Sequence, residues 1–259
     1  MRVAQMILPG ASAYEMKSQR IDAAALVEAG HEVVGVDVCE IAHLYAPAEF
    51  DASIVRDLAV PYVASGRPKR SFRRAPEPRV VVTPEVVPEA VEEAWFDAVD
   101  SRDNQWSIIA SFGPHRRGVK NAIEQTVARL HRFREDIEWH VFNEPPTPSD
   151  LTGVDAWVDP ATDDLDYDGF VAEALVLGLP VIAARTPINL QRTEKGHNAF
   201  LVPANDANEL AHAILTGLFK AEVAGVKIEA ARKTASKFRP RQRLRVLERV
   251  YQGLLAVGS

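Results

Sequence analysis

The stretch from Val154 to Ile214 decides the fold of this chain, because strand-like and helix-like segments alternate along it. It contains VDAWVDP at 154–160, TDDLDYDG at 162–169, EALVLGLPVIAART at 173–186 and EKGHNAFLVPANDANELAHAI at 194–214. The short apolar runs predict buried parallel strands, and the segments between them predict helices that cover the sheet. This pattern puts one carboxylate, Glu173, in the first turn of a helix beside a buried strand, which is where α/β folds bind nucleotides.

The composition predicts a globular, soluble protein. The chain has 259 residues, 47% of them apolar, with one cysteine and a formal net charge of −6. The negative charge disfavours a protein that coats nucleic acid and favours a small-molecule substrate. A lone Cys39 forms no intrachain disulfide, no Cys/His cluster has zinc-finger spacing, and no apolar run reaches the roughly 18 residues of a membrane span. We therefore predict a cytoplasmic protein without a structural metal, in which Cys39 is buried.

Two successive runs of β/α alternation predict two domains. The first run has strands predicted at 2–8, 32–36, 41–45, 60–64 and 80–83, and helices at 13–29, 51–58 and 88–99. The second has strands predicted at 107–112, 137–142, 156–158, 180–184 and 200–202, and helices at 118–133, 170–177 and 208–218. The alternation indicates an α/β fold with two Rossmann-like parallel-sheet domains facing a cleft. We place them at residues 1–103 and 104–238, with an amphipathic helix at 239–259 that packs across the domains.

Several blocks, in chain order, resemble a known enzyme family. They are AGHEV at 29–33, SIIASFGPHRRGVKNAIE at 107–124, EALVLGLPV at 173–181, GHNAFLVPANDANELAHAI at 196–214 and FRPRQRLRVLERVY at 238–251. Together they are similar to retaining glycosyltransferases of the GT-B type, group 1 (family 4), here with a shortened N-terminal half. The resemblance implies transfer of a hexose from a nucleotide diphosphate sugar, UDP- or GDP-linked, to a hydroxyl acceptor, with no cofactor and no obligatory metal.

In that family two acidic residues at a fixed spacing hold the donor, and the resemblance assigns the second, which binds the ribose, to Glu173. A carboxylate suits this task because it accepts hydrogen bonds from both hydroxyls of a diol. Counting back by the family's spacing gives Leu165, whereas counting forward from Pro160 gives Asp164. Asp164 is therefore the candidate for the first position, which contacts the sugar, with Asp166 and Asp168 as the next choices. The alternative is that this acidic loop is solvated and only caps the following helix.

Basic residues at a predicted helix start suit the donor's diphosphate. Arg116 and Arg117 follow a strand and a turn, where the family has an Arg and a Lys, and Lys120 lies one turn further. A helix start supplies partial positive charge and unpaired amides, and arginine can grip two oxygens at once. Arg116 and Arg117 would then stabilise the leaving group, unless this is only a basic surface turn.

The resemblance assigns weaker donor contacts to three loop residues. Gly10 lies in the turn after the first strand, and Thr186 and Asn189 lie in the segment after the strand at 180–184, predicted as a loop. The family also has a histidine in its N-terminal half that faces the reacting sugar, for which His43 and the loop at 65–66 are the best positional matches.

Two further interpretations stay open at this point. A GT-B-like protein that binds nucleotide without catalysing transfer would have the same sequence pattern, and a sugar-nucleotide epimerase would have a similar fold. Basic residues also cluster at 67–79 and at 232–245. They predict an anionic partner, either a lipid surface reached by a peripheral membrane contact or a charged acceptor, or alternatively solvated loops.

Overall fold

The computed structural model describes most of the chain. The described residues are 1–8, 11, 13–35, 39, 41–45, 49–50, 62–64, 67–68, 80–81, 89–98, 107–113, 117–160 and 170–258. They form two compact units, one from Met1–Glu92 with Lys237–Ser259 and one from Glu93–Ser236. The chain therefore passes between units after Glu92 and after Ser236, whereas the sequence placed its boundaries after residues 103 and 238.

The first unit contains a parallel sheet whose strand order is β2-β1-β3-β5-β7. The strands are β1 (Arg2–Ile7), β2 (Glu32–Val33), β3 (Ile41–Tyr45), β5 (Tyr62–Ala64) and β7 (Val80–Val81), and a separate parallel pair joins β4 (Glu49–Phe50) to β6 (Arg67–Pro68). Helix α1 (Ala13–Glu28) connects β1 to β2. The register between β1 and β3 pairs Val3 with Ile41 and Ile7 with Tyr45.

The C-terminal helix α7 (Pro240–Gly258) completes the core of the first unit. Its buried residues Leu244, Leu247, Tyr251 and Leu254 pack with residues of β1, α1, β3 and β5. They recur at intervals of three and four, so one face of the helix is apolar, as the sequence predicted.

The second unit contains a five-stranded parallel sheet in the order β12-β11-β10-β8-β9. Its strands are β8 (Ser107–Phe112), β9 (Ile137–Phe142), β10 (Ala156–Asp159), β11 (Val181–Ala184) and β12 (Phe200–Val202). Its helices are α2 (Arg117–Leu130), α3 (Val171–Leu177), α4 (Pro187–Arg192), α5 (Ala207–Phe219) and α6 (Ala221–Thr234). The prediction of an α/β fold with two parallel sheets is confirmed.

The largest differences from the predictions lie in three segments. Residues 89–98 contain only the 3-10 turn Glu93–Trp95 in place of the helix predicted at 88–99, and the Val91 amide donates to the Phe238 carbonyl. The segment after β11 is helix α4 and not a loop. Its start has a recognisable signal, since Thr186 caps the helix and Pro187 occupies its first position. Helix α6 was not predicted, although Glu222 in its first turn and Arg232 and Lys233 in its last follow the helix dipole.

Candidate functional site

The strand order of the second sheet has a switch point between β8 and β10. From β8 the chain goes outward to β9 on one side, then returns to β10 on the other and continues through β11 to β12. The strand order thus reverses between β8 and β10, which pair in parallel at Ile109 with Ala156 and at Ala110 with Trp157. Open parallel sheets bind ligands at such a switch point, outside the carboxyl ends of the strands.

Helix α2 presents a basic start beside this point. The strand β8 ends at Phe112, and the Gly113 amide donates to the Phe142 carbonyl at 2.7 Å, which ties the turn to β9. Arg117 is the first residue of α2, and Lys120 is exposed one turn further, with no acidic residue in the first turn. Arg116 lies outside the described residues. The first amides of a helix can bind an anion, and Lys120 adds a positive charge one turn further.

On the other side of the switch point, the helix after β10 carries a buried carboxylate, Glu173. Strand β10 ends at Asp159, and α3 begins at Val171, so that Glu173 lies in its first turn. Glu173 is 1% exposed. Asp164, Asp166 and Asp168 lie outside the described residues, so their predicted role stays a prediction.

An aromatic cluster holds the start of α3. Phe170 caps the helix with φ 50° and ψ 27°, a left-handed conformation that is uncommon for a bulky residue. Its ring packs edge-on against Phe112, with 4.9 Å between ring centroids, and at a tilt against Trp95, with 6.2 Å between them. Backbone strain of this kind persists where the surrounding packing enforces it, and it is concentrated at functional sites. The cluster therefore fixes the turn from which Glu173 projects.

Asn189 ties the ends of β10 and β11 together. Its Nδ2 donates to Asp159 Oδ2 at 2.7 Å and to the Ala184 carbonyl at 3.1 Å. Two acceptors around Nδ2 set the orientation of the amide, and they leave the buried Oδ1 without a hydrogen-bond partner in the described part of the chain. Thr186 caps α4 by accepting from the Asn189 amide at 3.2 Å. Asn189 and Thr186 therefore form hydrogen bonds within the protein, and their predicted contacts with the sugar-nucleotide donor stay predictions.

Sequence reasoning missed the carboxylate of Asp159, which is buried at the switch point. A carboxylate at the end of an otherwise apolar strand, directly before a proline, was the available signal. Its partner Asn189 comes from a helix that the sequence did not predict, so their contact is visible only in the fold.

In the first unit, His43 lies within a buried polar cluster. Its Nδ1 lies 2.6 Å from the Tyr251 hydroxyl, and Tyr45 donates to Asp22 at 2.8 Å. Arg243 of α7 donates to the same carboxylate at 2.6 and 2.9 Å. Burial lowers the pKa of His43 to about 4 and raises that of Tyr45 well above its usual value. His43 thus lies in the core as a neutral side chain.

Three other predictions concern residues of the first unit. Gly10 and the loop at 65–66 lie outside the described residues, whereas Cys39 is described and is buried, as predicted. Among the described residues, no group of three or more His, Cys, Asp or Glu side chains could hold a metal ion. None of the described helices has both the length and the apolar character needed to cross a membrane.

The chain is similar to known glycosyltransferases in sequence profile and fold. The profile of a family described as glycosyl transferases group 1 matches residues 89–218, half of the chain. No curated protein matches the sequence. A glycosyltransferase from Rickettsia africae ESF-5 superposes with a TM-score of 0.63 at 13% identity, over 98% of each chain.

Two further solved structures share the fold. Anabaena Alr3699/HepE, in complex with UDP-glucose, superposes with a TM-score of 0.60 at 12% identity over 96% of this chain and 99% of its own. The spinosyn rhamnosyltransferase SpnG superposes with a TM-score of 0.55 at 12% identity over 96% and 100%. The superpositions show a common fold, and identities this low show no more than the fold. The predicted GT-B class is thereby confirmed.

Proposed function

Because the chain belongs to the group 1 glycosyl transferases, we propose that it is a retaining enzyme that transfers a hexose from a nucleotide diphosphate sugar to a hydroxyl acceptor. The observation that carries the proposal is the switch point between β8 and β10, where the basic start of α2 lies on one side and the carboxylates of Asp159 and Glu173 on the other. A nucleotide diphosphate sugar needs both: cations and amides for its phosphates, and carboxylates for its hydroxyl groups.

The proposed roles follow from this division. Glu173 accepts hydrogen bonds from the ribose hydroxyls, and its burial strengthens those bonds because little water competes for them. Asp164 contacts the transferred sugar. Arg116 and Arg117, with Lys120 and the first amides of α2, bind the diphosphate.

The chemical demand is to stabilise the diphosphate as it leaves. Fixed donors aimed at the developing negative charge lower the barrier because they need no reorganisation during the reaction. Two arginines and a helix start can supply this stabilisation without a metal ion. We therefore expect turnover to persist in EDTA, and loss of turnover there would contradict this part of the proposal.

The donor is proposed to be a uridine or guanosine diphosphate sugar. The Anabaena protein of the same fold was solved with UDP-glucose, which supports a nucleotide sugar as the ligand of this architecture. Assignment to family 4 and the retaining stereochemistry come from the resemblance described above, and the cytoplasmic location comes from the composition; all three remain parts of the proposal.

Titration calorimetry with UDP- and GDP-linked sugars tests the donor site. We expect one of them to bind the parent protein and to bind Glu173→Gln at least about tenfold more weakly, since this isosteric change removes a charge-assisted bond. Glu124→Gln, an exposed carboxylate of α2, is the matched control and should bind like the parent. Equal affinity of parent and Glu173→Gln would refute the role of Glu173.

Turnover separates an enzyme from a nucleotide-binding protein. Arg117→Ala should lower the rate of nucleotide release from the donor by about a hundredfold or more, with little change in thermal stability. Donor binding by the parent without any release or transfer would instead identify a non-catalytic member of the family.

A further inference from the structure

Helix α7 has a basic surface opposite its apolar face. Between Lys237 and Arg249 the chain has six basic residues and one acidic residue, although the whole protein has a net charge of −6. Arg241, Arg245 and Arg249 recur every four residues and are exposed, so they lie along one side of the helix. We name these three residues the arginine stripe.

Little negative charge neutralises the stripe within the protein. The single acid of this segment, Glu248, is engaged with His31 at 2.7 Å. Arg241 is 74% exposed and approaches Glu28 only at 3.9 Å. Such an exposed contact contributes little.

Within the described residues, the two other guanidinium groups of the stripe contact uncharged groups. Arg245 donates to the Gln242 side chain, and Arg249 donates to the Arg245 carbonyl. No carboxylate in the described part of the chain pairs with either one. The remaining N–H groups of these two residues are therefore available to an external anion.

Packing keeps the stripe in place. The opposite face of α7 is buried in the core of the first unit, and the Arg243–Asp22 ion pair anchors it at 2.6 Å. The backbone positions of the three arginines are therefore fixed before an anion binds, which reduces the entropy lost on binding. One guanidinium group can donate two parallel hydrogen bonds to two oxygens of a phosphate, so phosphate is the anion that the stripe fits best.

We propose that the arginine stripe, with Lys237 and Arg239 at its start, docks the first unit onto an anionic phospholipid surface. The surface beside it favours lipid over nucleic acid, because Val27 of α1, next to Glu28, is 61% exposed and gains from a membrane interface but not from a phosphodiester backbone. The sequence placed a basic membrane contact partly in residues 67–79, most of which lie outside the described residues. This inference does not depend on the donor site.

Co-sedimentation with vesicles tests the proposal. The protein should bind vesicles of phosphatidylcholine with phosphatidylglycerol but not vesicles of phosphatidylcholine alone, and binding should fall as salt shortens the screening length. Each basic residue near an anionic surface contributes about fivefold to the partition, so Arg245→Glu with Arg249→Glu should lower it at least about 25-fold.

A matched double reversal separates the stripe from net charge. Arg132→Glu with Lys220→Glu changes two exposed cations of the second unit and adds the same negative charge, yet should leave most of the binding intact. Circular dichroism checks that both variants fold. If the glutamates unfold the first unit, Arg245→Gln with Arg249→Gln should still lower the partition about 25-fold.

Three results would overturn the proposal. They are absence of binding to anionic vesicles by the parent protein, equal loss of binding in the stripe and control variants, and tighter binding of the stripe to an RNA oligonucleotide than to the vesicles.

Discussion

Acidification should destabilise the first unit through one residue, His43. Its imidazole is fully buried, and burial lowers its pKa from 6.5 to about 4. In the unfolded chain the pKa returns to its ordinary value, so between pH 6.5 and 4 the unfolded state binds a proton that the folded state does not. The free energy of unfolding therefore falls as the pH falls through this window, and the contribution is fully present above it.

The two pKa values set the size of the effect. At about 1.4 kcal/mol for each pH unit between them, the full contribution of His43 is about 3 kcal/mol. About 2 kcal/mol of it should be lost between pH 7 and pH 4.5. The charges that face the imidazole are those of Asp22, which favours its protonation, and Arg243, which opposes it, and desolvation outweighs both.

His43→Asn tests this value. The substitution removes the titrating group, and its amide can still form a hydrogen bond with the Tyr251 hydroxyl. Urea unfolding at pH 7 and pH 4.5 is followed by circular dichroism and by labelling of Cys39, the single cysteine, which is buried in the first unit. This probe is needed because all four tryptophans belong to the second unit.

Carboxylates also titrate in this range. The test is therefore the difference between the parent and His43→Asn in the fall of the unfolding free energy from pH 7 to pH 4.5. The fall in unfolding free energy should be about 2 kcal/mol smaller in His43→Asn than in the parent. His212→Asn, at an exposed position of α5, leaves the His43 contribution in place and is the control. An equal fall in the parent and in His43→Asn would refute the reasoning.

Three further substitutions probe the fold and the site. Asp22→Asn leaves the buried Arg243 charge uncompensated and should cost about 3 to 5 kcal/mol in urea unfolding; an unchanged midpoint would contradict this. Asn189→Asp removes the N–H group that donates to Asp159 and brings two buried carboxylates together, so it should lower the free energy of unfolding by about 2 kcal/mol or more. It should also lower turnover by more than any loss of affinity for the sugar nucleotide explains; full turnover would show that the Asn189–Asp159 bond is not needed. Gly178→Ala places a side chain at φ +75° and should cost about 1 to 2 kcal/mol in thermal unfolding, and a neutral result would show that the turn relaxes.

Each of these changes has a matched control. Glu28→Gln removes an exposed carboxylate from the same helix as Asp22 and should be nearly neutral. Gln191→Glu adds a carboxylate to α4, two residues from Asn189, and is expected to retain turnover. Gly225→Ala lies within α6 with open space around the added carbon, and should stabilise by about 0.5 to 1 kcal/mol.

Local pattern predicted the strands better than the short helices. The strands Ile41–Tyr45, Ser107–Phe112, Ile137–Phe142 and Phe200–Val202 match their predicted bounds. Each is an apolar or β-branched run that a turn terminates, so its limits are local properties. The six-residue α4 has no such run, and it is stabilised by the Thr186 cap and by the burial of Ile188 and Asn189. Helices this short depend on tertiary packing more than on propensity.

The features of the candidate site also divide into those that local sequence predicts and those that only the fold shows. The basic start of α2 and the position of Glu173 in the first turn of α3 follow from turns and helix signals in the sequence. The bond between Asp159 and Asn189, the aromatic cluster around Phe170 and the burial of His43 join residues that are far apart in the chain. A pattern of neighbouring residues has no information on such pairs.

The sequence by itself determined the α/β class, the two successive parallel sheets and the family, because hydrophobic period and turn chemistry act over a few residues at a time. Only the tertiary structure decided the strand order that creates the switch point between β8 and β10, the attachment of α7 to the first unit and the neutral state of His43. These depend on which surfaces are removed from water together. Burial of that kind is a property of the assembled core and not of any single segment.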